Sequence, residues 1–322
     1  MHVSNTRRPR RAFAAITAIL IAGCRGEPAT GVDNAYPYDL VFERRETPSS
    51  AADIYLLSLR TGAESRILTA NVAGMHPSTS AGSQVVFVRN DAQFTDEVFL
   101  ITRGANDQFG GLTNVTNNGP ARDQMPALAP NGQRIAFVTD RDGAFADIFV
   151  INVDGTNLRR ITPADPSPAV TTEWWPAWSP TSSLLAYSST IEGTPDIWTT
   201  TVDATPTVRT LLTSGPDIDL HPTWSPDGTR IAFQRTDINT GDADIMILNV
   251  STGALTRIEM PGQQLWPSWS PDPTDQLIAF SSNHEDDDFE IYTMEPDGGN
   301  VVRRTTNGVD DFRPAWLIRP VQ

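Results

Sequence analysis

The chain has 322 residues, of which 39% are hydrophobic and 20% are charged, and it contains 22 glycines and 25 prolines. This composition supports a packed core with many turns, which argues against a disordered chain and against a helical bundle. All 24 basic residues are arginine, so catalysis by a Walker A lysine, a Schiff-base lysine or a Ser-Lys dyad is excluded. The net charge of −15 argues against a nucleic acid partner, because binding to phosphates needs a basic surface.

The N-terminus carries the features of a secretion signal. Four arginines between positions 7 and 11 precede an apolar run from Ala12 to Ala22, which is too short to span a bilayer. The segment Ile21-Ala22-Gly23-Cys24 resembles the lipobox of bacterial lipoproteins, which implies lipidation of Cys24 and cleavage before it. We therefore predict a lipoprotein signal peptide over residues 1–23 and a lipidated tether over residues 24–36. The alternative is an ordinary signal peptide that happens to contain a cysteine.

The lipobox resemblance also implies a location. Arg25 rather than aspartate follows the cysteine, which in the better-studied Gram-negative lipoproteins favours the outer membrane. The mature chain keeps 20 arginines against 39 acidic residues, a net charge of −19, so its folded body is not expected to lie flat on anionic lipid. We expect a protein of the bacterial cell envelope that is held to the outer membrane by its lipid, faces the periplasm and is monomeric.

Two short motifs repeat six times in a fixed order. One is an acidic residue followed by Ile or Val and a large side chain, and its copies lie 44 to 50 residues apart, beginning at Asp53, Glu97, Asp147, Asp196, Asp244 and Glu290. The other is a bulky–small–bulky triplet that precedes each acidic motif, beginning at Leu40, Val85, Ile135, Leu185, Ile231 and Ile278. Alternation of β-branched and aromatic residues with a period of two predicts buried strands.

Further motifs complete each repeat. Proline followed two positions later by a large residue opens most repeats, as in Pro176-Ala177-Trp178 and Pro222-Thr223-Trp224, and turns rich in Pro, Asp and Gly follow. With a short final strand, each repeat has four antiparallel strands, which is typical of a propeller blade. One extra copy, Pro314-Ala315-Trp316, stands near the C-terminus, whereas the first repeat lacks this strand. We predict an all-β fold over residues 37–322, a six-bladed propeller in which a C-terminal strand completes the N-terminal blade.

The repeat resembles that of TolB-type propellers, most closely between His221 and Ile258, and the resemblance covers nearly all of the mature chain. It implies the fold but leaves function open, because this repeat serves translocation scaffolds, peptidase gating domains and some polysaccharide lyases. TolB proteins carry an additional N-terminal α/β domain, so no role of that domain is expected here. The sequence contains no nucleophile elbow, no HExxH motif and no phosphate-binding loop, so we predict a non-enzyme.

Candidate binding residues lie where each innermost strand begins, because this strand lines the central channel of a propeller. The residues just before the repeat prolines include His76, Trp175, His221, Trp266 and Arg313. Two positions earlier, four repeats have a carboxylate that we expect at one channel mouth, where it could bind calcium or a basic partner or cap loop amides: Asp123, Glu173, Asp219 and Asp311. We expect the two histidines, on opposite sides of the ring, to pack against loops rather than to share a metal ion.

Three functions are compatible with these features. The first is a lipid-anchored scaffold module that binds an envelope protein through one face of the propeller, and we favour it. The second is a carbohydrate-binding or lyase-like propeller, which needs converging histidine, arginine or metal groups. The third is a structural lipoprotein whose channel holds a stiffening calcium ion.

Overall fold

The structure is a computed structural model, and it describes residues 37–319 except 48–49, 69–72, 81, 92–93, 118, 144–145, 163–170 and 275. The predicted signal peptide, Cys24 and tether lie outside these residues. Within the described part, 24 strands and one 3-10 helix (Ala105–Asp107) are present, which confirms the all-β prediction. No helix among these residues is long and apolar enough to cross a membrane.

The strands form six four-stranded antiparallel sheets, which are the six blades of the predicted propeller. The strands of blades 1 to 3 are β1 (Tyr38–Arg45), β2 (Asp53–Leu57), β3 (Glu64–Arg66), β4 (Met75–Thr79), β5 (Gln84–Asp91), β6 (Phe94–Arg103), β7 (Phe109–Asn114), β8 (Asp123–Leu128), β9 (Arg134–Thr139), β10 (Asp147–Asn152) and β11 (Arg159–Arg160). The remaining strands are β12 (Glu173–Trp178), β13 (Leu184–Ser189), β14 (Asp196–Thr201), β15 (Arg209–Leu211), β16 (Ile218–Trp224), β17 (Arg230–Thr236), β18 (Ala243–Asn249), β19 (Leu255–Ile258), β20 (Gln264–Trp269), β21 (Ile278–Ser282), β22 (Glu290–Met294), β23 (Val302–Arg303) and β24 (Asp310–Ile318).

The ring closes as predicted. The C-terminal strand β24 pairs with β1, so blade 1 has the order β24-β1-β2-β3, whereas blades 2 to 6 each use four consecutive strands. Because the last strand of the chain belongs to the first blade, hydrogen bonds hold the two ends of the propeller together.

The core lies between neighbouring blades. The last residue of each bulky–small–bulky triplet is fully buried, and the six are Phe42, Phe87, Phe137, Tyr187, Phe233 and Phe280. Apolar clusters join adjacent sheets, as where Val41 and Ile54 of blade 1 pack with Val85 and Phe87 of blade 2. Burial of both sheet faces explains why these strands are apolar at successive positions.

In three of the four Pro-x-Trp motifs, the tryptophan forms a hydrogen bond to the preceding blade, whereas Trp269 Nε1 has no partner among the described residues. The indole Nε1 of Trp178 donates a hydrogen bond to the carbonyl oxygen of Ala127 at 2.9 Å, and Trp316 donates to Ser268 at the same distance. The indole therefore contributes buried apolar surface and also satisfies a backbone carbonyl of the adjacent channel strand.

The acidic residue of the second motif holds the fourth strand of its own blade. In blade 6 the Thr305 hydroxyl donates to the Glu290 carboxylate and accepts the backbone N–H of Ile291. Thr162 and Thr213 make the equivalent contacts in blades 3 and 4. The repeated acid thus has a structural function, since a buried carboxylate needs hydrogen-bond donors.

Candidate binding site in the central channel

One residue in each blade, the residue before the repeat proline, has a left-handed backbone conformation. Its φ lies between 50° and 56° in all six blades, at His76, Met125, Trp175, His221, Trp266 and Arg313. A positive φ is uncommon for residues other than glycine, and it costs about 1–3 kcal/mol where the surrounding structure imposes it. Its repetition in every blade makes it part of the architecture.

The proline explains why this distortion occurs at this position. Proline has no N–H and cannot continue a ladder of hydrogen bonds. In blades 2 to 6 the strand register shifts across this position, as between Trp174 and Ala177 of β12, and in blade 1 the shift falls between Val41 and Glu43 of β1. Such a bulge changes the direction in which a side chain points.

The six left-handed residues line a channel cavity of about 440 Å³. The same cavity continues along the innermost strands past Trp178 and Trp224 to the prolines that follow them, such as Pro180 and Pro226. Cavities of this size are typical of sites for small molecules or single inserted side chains. The six residues are partly exposed, because they face this cavity.

Aromatic side chains meet across the cavity. The ring centre of Trp175 lies 4.0 Å from that of His221 and 5.1 Å from that of His76. The Trp266 ring lies 6.0 Å from His221 and 5.0 Å from Phe312. Residues from five different blades thus form one continuous aromatic surface, which we call the aromatic ring of the channel.

Arg313 contributes a cation to the aromatic ring. Its guanidinium carbon lies 4.7 Å from the ring centre of Trp266 and 5.4 Å from that of Trp175, within the range of cation–π attraction. Its Nη1 donates to Glu43 Oε2 at 3.0 Å, and the other oxygen of this buried carboxylate accepts the backbone N–H of His76. Glu43 therefore fixes both the arginine and the left-handed turn of the next blade.

The structure contradicts the expectation that the two histidines pack against loops. His76 and His221 do come from blades on opposite sides of the ring, but both point into the channel, where Trp175 contacts them both. The pKa of each lies well below its usual value, mainly because burial disfavours the charged imidazolium and secondly because Arg313 repels it. Both rings are therefore neutral near pH 7.

The predicted position of the carboxylates is wrong. Asp123, Asp219 and Asp311 are fully buried and do not line the cavity. Each forms an ion pair with an arginine of the same blade: Arg141 at 2.8 Å, Arg235 at 2.7 Å and Arg44 at 2.7 Å, respectively. The left-handed residue turns the strand, so the residue two positions before it does not share its face. Pairing with arginine offsets part of the cost of burial, although burial still raises the pKa of Asp311 above its usual value.

Glu173 is the exception, because no arginine in its blade takes the equivalent place. Burial and, secondly, the nearby Asp147 carboxylate raise the pKa of Glu173 to about 8. Its Oε2 is buried and has no hydrogen-bond partner among the described residues. At neutral pH this carboxyl group is therefore largely protonated.

A calcium site formed by these four carboxylates is not supported. Within the part of the chain that the structure describes, no three His, Cys, Asp or Glu side chains lie close enough to hold a metal ion. The three ion-paired carboxylates are also occupied by arginines, which compete with any cation.

Glu43, Arg45 and Phe312 contribute to the site but were not predicted from the sequence. Arg45 lies with its guanidinium carbon 5.8 Å from the Phe312 ring centre, and its charge contributes to the lowered pKa of His76. One signal was available: Glu43 directly follows the first bulky–small–bulky triplet, where the other repeats have an uncharged residue. A lone charge at a buried strand position indicates a specific partner.

Together, the fold and the channel define a six-bladed β-propeller with an aromatic site inside its ring. Residues 168–319 match the family described as the TolB beta propeller domain. A Protein TolB homolog from Chlorobium luteolum is 30% identical over 221 residues, which cover 69% of this chain and 46% of the relative. A Tol-Pal system protein TolB from Desulfosudis oleivorans is 31% identical over 124 residues, which cover 38% of this chain and 26% of the relative.

The crystal structure of TolB from Acinetobacter baumannii has the same fold, with a TM-score of 0.68 and 16% identity, covering 87% of this chain and 66% of that one. The chain therefore has a TolB-like β-propeller fold. Its matched region spans less than half the length of the two relatives named above.

Proposed function

We propose that this protein is a non-enzymatic, lipid-anchored module of the bacterial cell envelope that binds a protein partner at the aromatic ring of the channel. The observation that carries the proposal is the convergence of Trp175, Trp266 and Arg313 at one cavity. Tryptophan and arginine are the residues that contribute most energy to protein interfaces, especially where they are held rigidly and are partly shielded from water. The propeller supplies that rigidity.

The relatives support an envelope role. One of them is named as a protein of the Tol-Pal system, which is itself an assembly of proteins. We transfer to this chain only the general role of a partner-binding propeller. Cys24 as lipid anchor, residues 24–36 as tether, the outer membrane as location and a monomeric state belong to the same proposal.

Affinity capture from detergent-solubilised envelopes tests the binding role. The bait is the lipidated full chain, compared with a Trp175→Ala variant and with Val208→Ala as a matched control, because Val208 is 57% exposed and does not line the channel. We expect the wild type and Val208→Ala to retain the same envelope protein and Trp175→Ala to lose it. Retention of every partner by Trp175→Ala would contradict the proposal.

The lipid anchor is tested separately. We expect the wild type to incorporate radiolabelled palmitate and to sediment with membranes, and Cys24→Ser to do neither. Labelling of the Cys24→Ser variant at wild-type level would exclude Cys24 as the modified residue, whatever the outcome of the capture experiment.

A carbohydrate ligand is the second candidate, because the structure brings His76, His221 and Arg313 together with two tryptophans that sugar rings could stack on. Titration with oligosaccharides, followed by assays for new reducing or unsaturated ends, distinguishes binding from turnover. Saturable binding that Trp175→Ala abolishes would favour this candidate over a protein partner.

A further inference from the structure

We propose that one side of the channel, between blades 1 and 2, is a site for a small monocarboxylate ligand with a flat apolar body. The inference goes beyond the proposed function, because it needs no protein partner. It rests on the nitrogen atoms of Arg45, His76 and Arg313, which we call the nitrogen cluster.

The nitrogen cluster contains three buried polar atoms without protein partners. Arg45 Nε, His76 Nδ1 and Arg313 Nε are buried, and none has a hydrogen-bond partner among the described residues. Glu43 joins two members of the cluster, because its carboxylate accepts hydrogen bonds from Arg313 Nη1 and from the backbone N–H of His76. The Arg45 guanidinium lies beside the ring of Phe312, the residue that precedes Arg313. Buried polar atoms are costly to leave unpaired, so several unpaired nitrogens in one place indicate a ligand that supplies acceptors.

The charges of the cluster select an anion. Most of the buried acidic positions described above have an arginine partner, and the chain as a whole is strongly acidic. Here, in contrast, the Glu43 carboxylate pairs with Arg313, and Arg45 forms no ion pair among the described residues. Asp310 lies opposite Arg45 in the strand register, but its carboxylate accepts the backbone N–H of Phe289 instead. Among Glu43, Arg45 and Arg313, one positive charge remains uncompensated, which matches a monoanion.

The shape of the site favours a carboxylate over a larger anion. Arg313 uses Nη1 for Glu43, which leaves its Nε edge as a planar donor of the kind that pairs with carboxylates. His76 is neutral, so its unpaired Nδ1 either donates one hydrogen bond or accepts one, depending on the tautomer. A phosphate dianion would carry one negative charge more than the single positive charge that Glu43, Arg45 and Arg313 leave uncompensated, and it would repel the Glu43 carboxylate.

The rest of the cavity is apolar. Met125 and Trp175 line the wall beside His76, and the volume of about 440 Å³ accommodates a bicyclic ring system. A ligand whose carboxylate lies at the nitrogen cluster therefore has its ring against Met125 and Trp175. Cations are disfavoured, because Arg313 already occupies the faces of both tryptophans.

Isothermal titration calorimetry on the lipidated full chain in detergent tests the proposal with indole-3-acetate as the probe and indole-3-acetamide as its neutral isostere. We expect saturable 1:1 binding of the acid and at least tenfold weaker binding of the amide. Arg313→Gln and Arg45→Gln should each weaken binding of the acid at least tenfold. Arg257→Gln should leave it unchanged, because Arg257 is exposed and pairs with Asp244 away from the channel.

Three results would overturn the proposal: no saturable binding of the acid up to about 10 mM, equal binding of acid and amide, or binding that neither channel variant reduces. Arg313→Gln removes a buried contact with Glu43 and could therefore impair folding. Arg45→Gln leaves that contact intact, so a loss of binding in this variant cannot be attributed to it. Circular dichroism of each variant confirms that the propeller is folded. None of these outcomes depends on whether a protein partner is captured.

Discussion

Arg44 and Asp311 are separated by 267 residues, yet they form a bidentate ion pair with N–O distances of 2.7 and 2.8 Å. The pair joins β1 to β24, the two strands at which the ring closes. Both side chains are almost completely buried, and Asn307 also donates to Asp311. The closure of the propeller is thus fixed by charge and geometry in addition to the strand hydrogen bonds.

Removal of one partner should therefore weaken the closure. We expect Asp311→Asn to lower the free energy of unfolding by about 3–5 kcal/mol, because it leaves a buried guanidinium without its main partner. Chemical denaturation measures this difference. Asp203→Asn is the matched control. Asp203 is also ion-paired, with Arg134 and Arg159, but its side chain is 62% exposed, so this substitution should lower the free energy of unfolding by less than about 1 kcal/mol. Equal losses for both variants would show that Asp311 has no special role in closing the ring.

The left-handed conformation at Met125 gives a prediction about backbone strain. Leucine and isoleucine are isomers, but only isoleucine is branched at Cβ, which strongly disfavours a positive φ. We expect Met125→Ile to be about 1–2 kcal/mol less stable than Met125→Leu in thermal or chemical denaturation. Two equally stable variants would mean that the position relaxes to an ordinary extended conformation.

Glu173 should make stability depend on pH. Its pKa in the folded protein, about 8, is higher than the value of about 4.5 for an exposed glutamate, so the folded state binds the proton more tightly. The stabilisation that this tighter proton binding gives to the folded state is complete below pH 4.5. It is lost as the pH rises to 8, and the free energy of unfolding then falls by at most about 1.4 kcal/mol per pH unit. In Glu173→Gln the amide resembles the protonated acid, so the fall in melting temperature between pH 5 and pH 8 should be smaller than in the wild type.

Asp219→Asn serves as the control for Glu173, because Asp219 has the equivalent position but is paired with Arg235. This variant should be destabilised and should keep the pH dependence that Glu173 causes. If Glu173→Gln shows the same pH profile as the wild type, Glu173 is ionised throughout this range and the account of its burial is wrong.

The blade count and the ring closure could be predicted because they depend on local repetition. Each blade repeats the same buried triplet, and the extra copy Pro314-Ala315-Trp316 supplies the strand that the first repeat lacks. Such patterns follow from the alternation of strand side chains and from turn chemistry, which act over a few residues.

The candidate site could be predicted only in part, because it depends on contacts between distant residues. Trp175, Trp266 and Arg313 line the channel, where the motif before the proline placed them. His76 and His221 line it too, although we expected them to pack against loops. The carboxylates two residues earlier were misplaced, because alternation along an ordinary strand does not hold across a left-handed residue and a bulge. Their arginine partners lie in the neighbouring strand or just after it, at no fixed spacing. The charge of Glu43 directly after the first triplet was the one available signal, and the motifs carry none for Arg45.

The most direct test of the central claim, that the aromatic ring of the channel is the surface that binds a partner, is site-specific photocrosslinking in living cells. A photoreactive phenylalanine derivative replaces Met125, which lines the channel, or Val208, which is exposed and does not line it. The account predicts one crosslinked envelope protein from position 125 and none from position 208. Crosslinking from position 208 alone would place the binding surface elsewhere and would contradict the account.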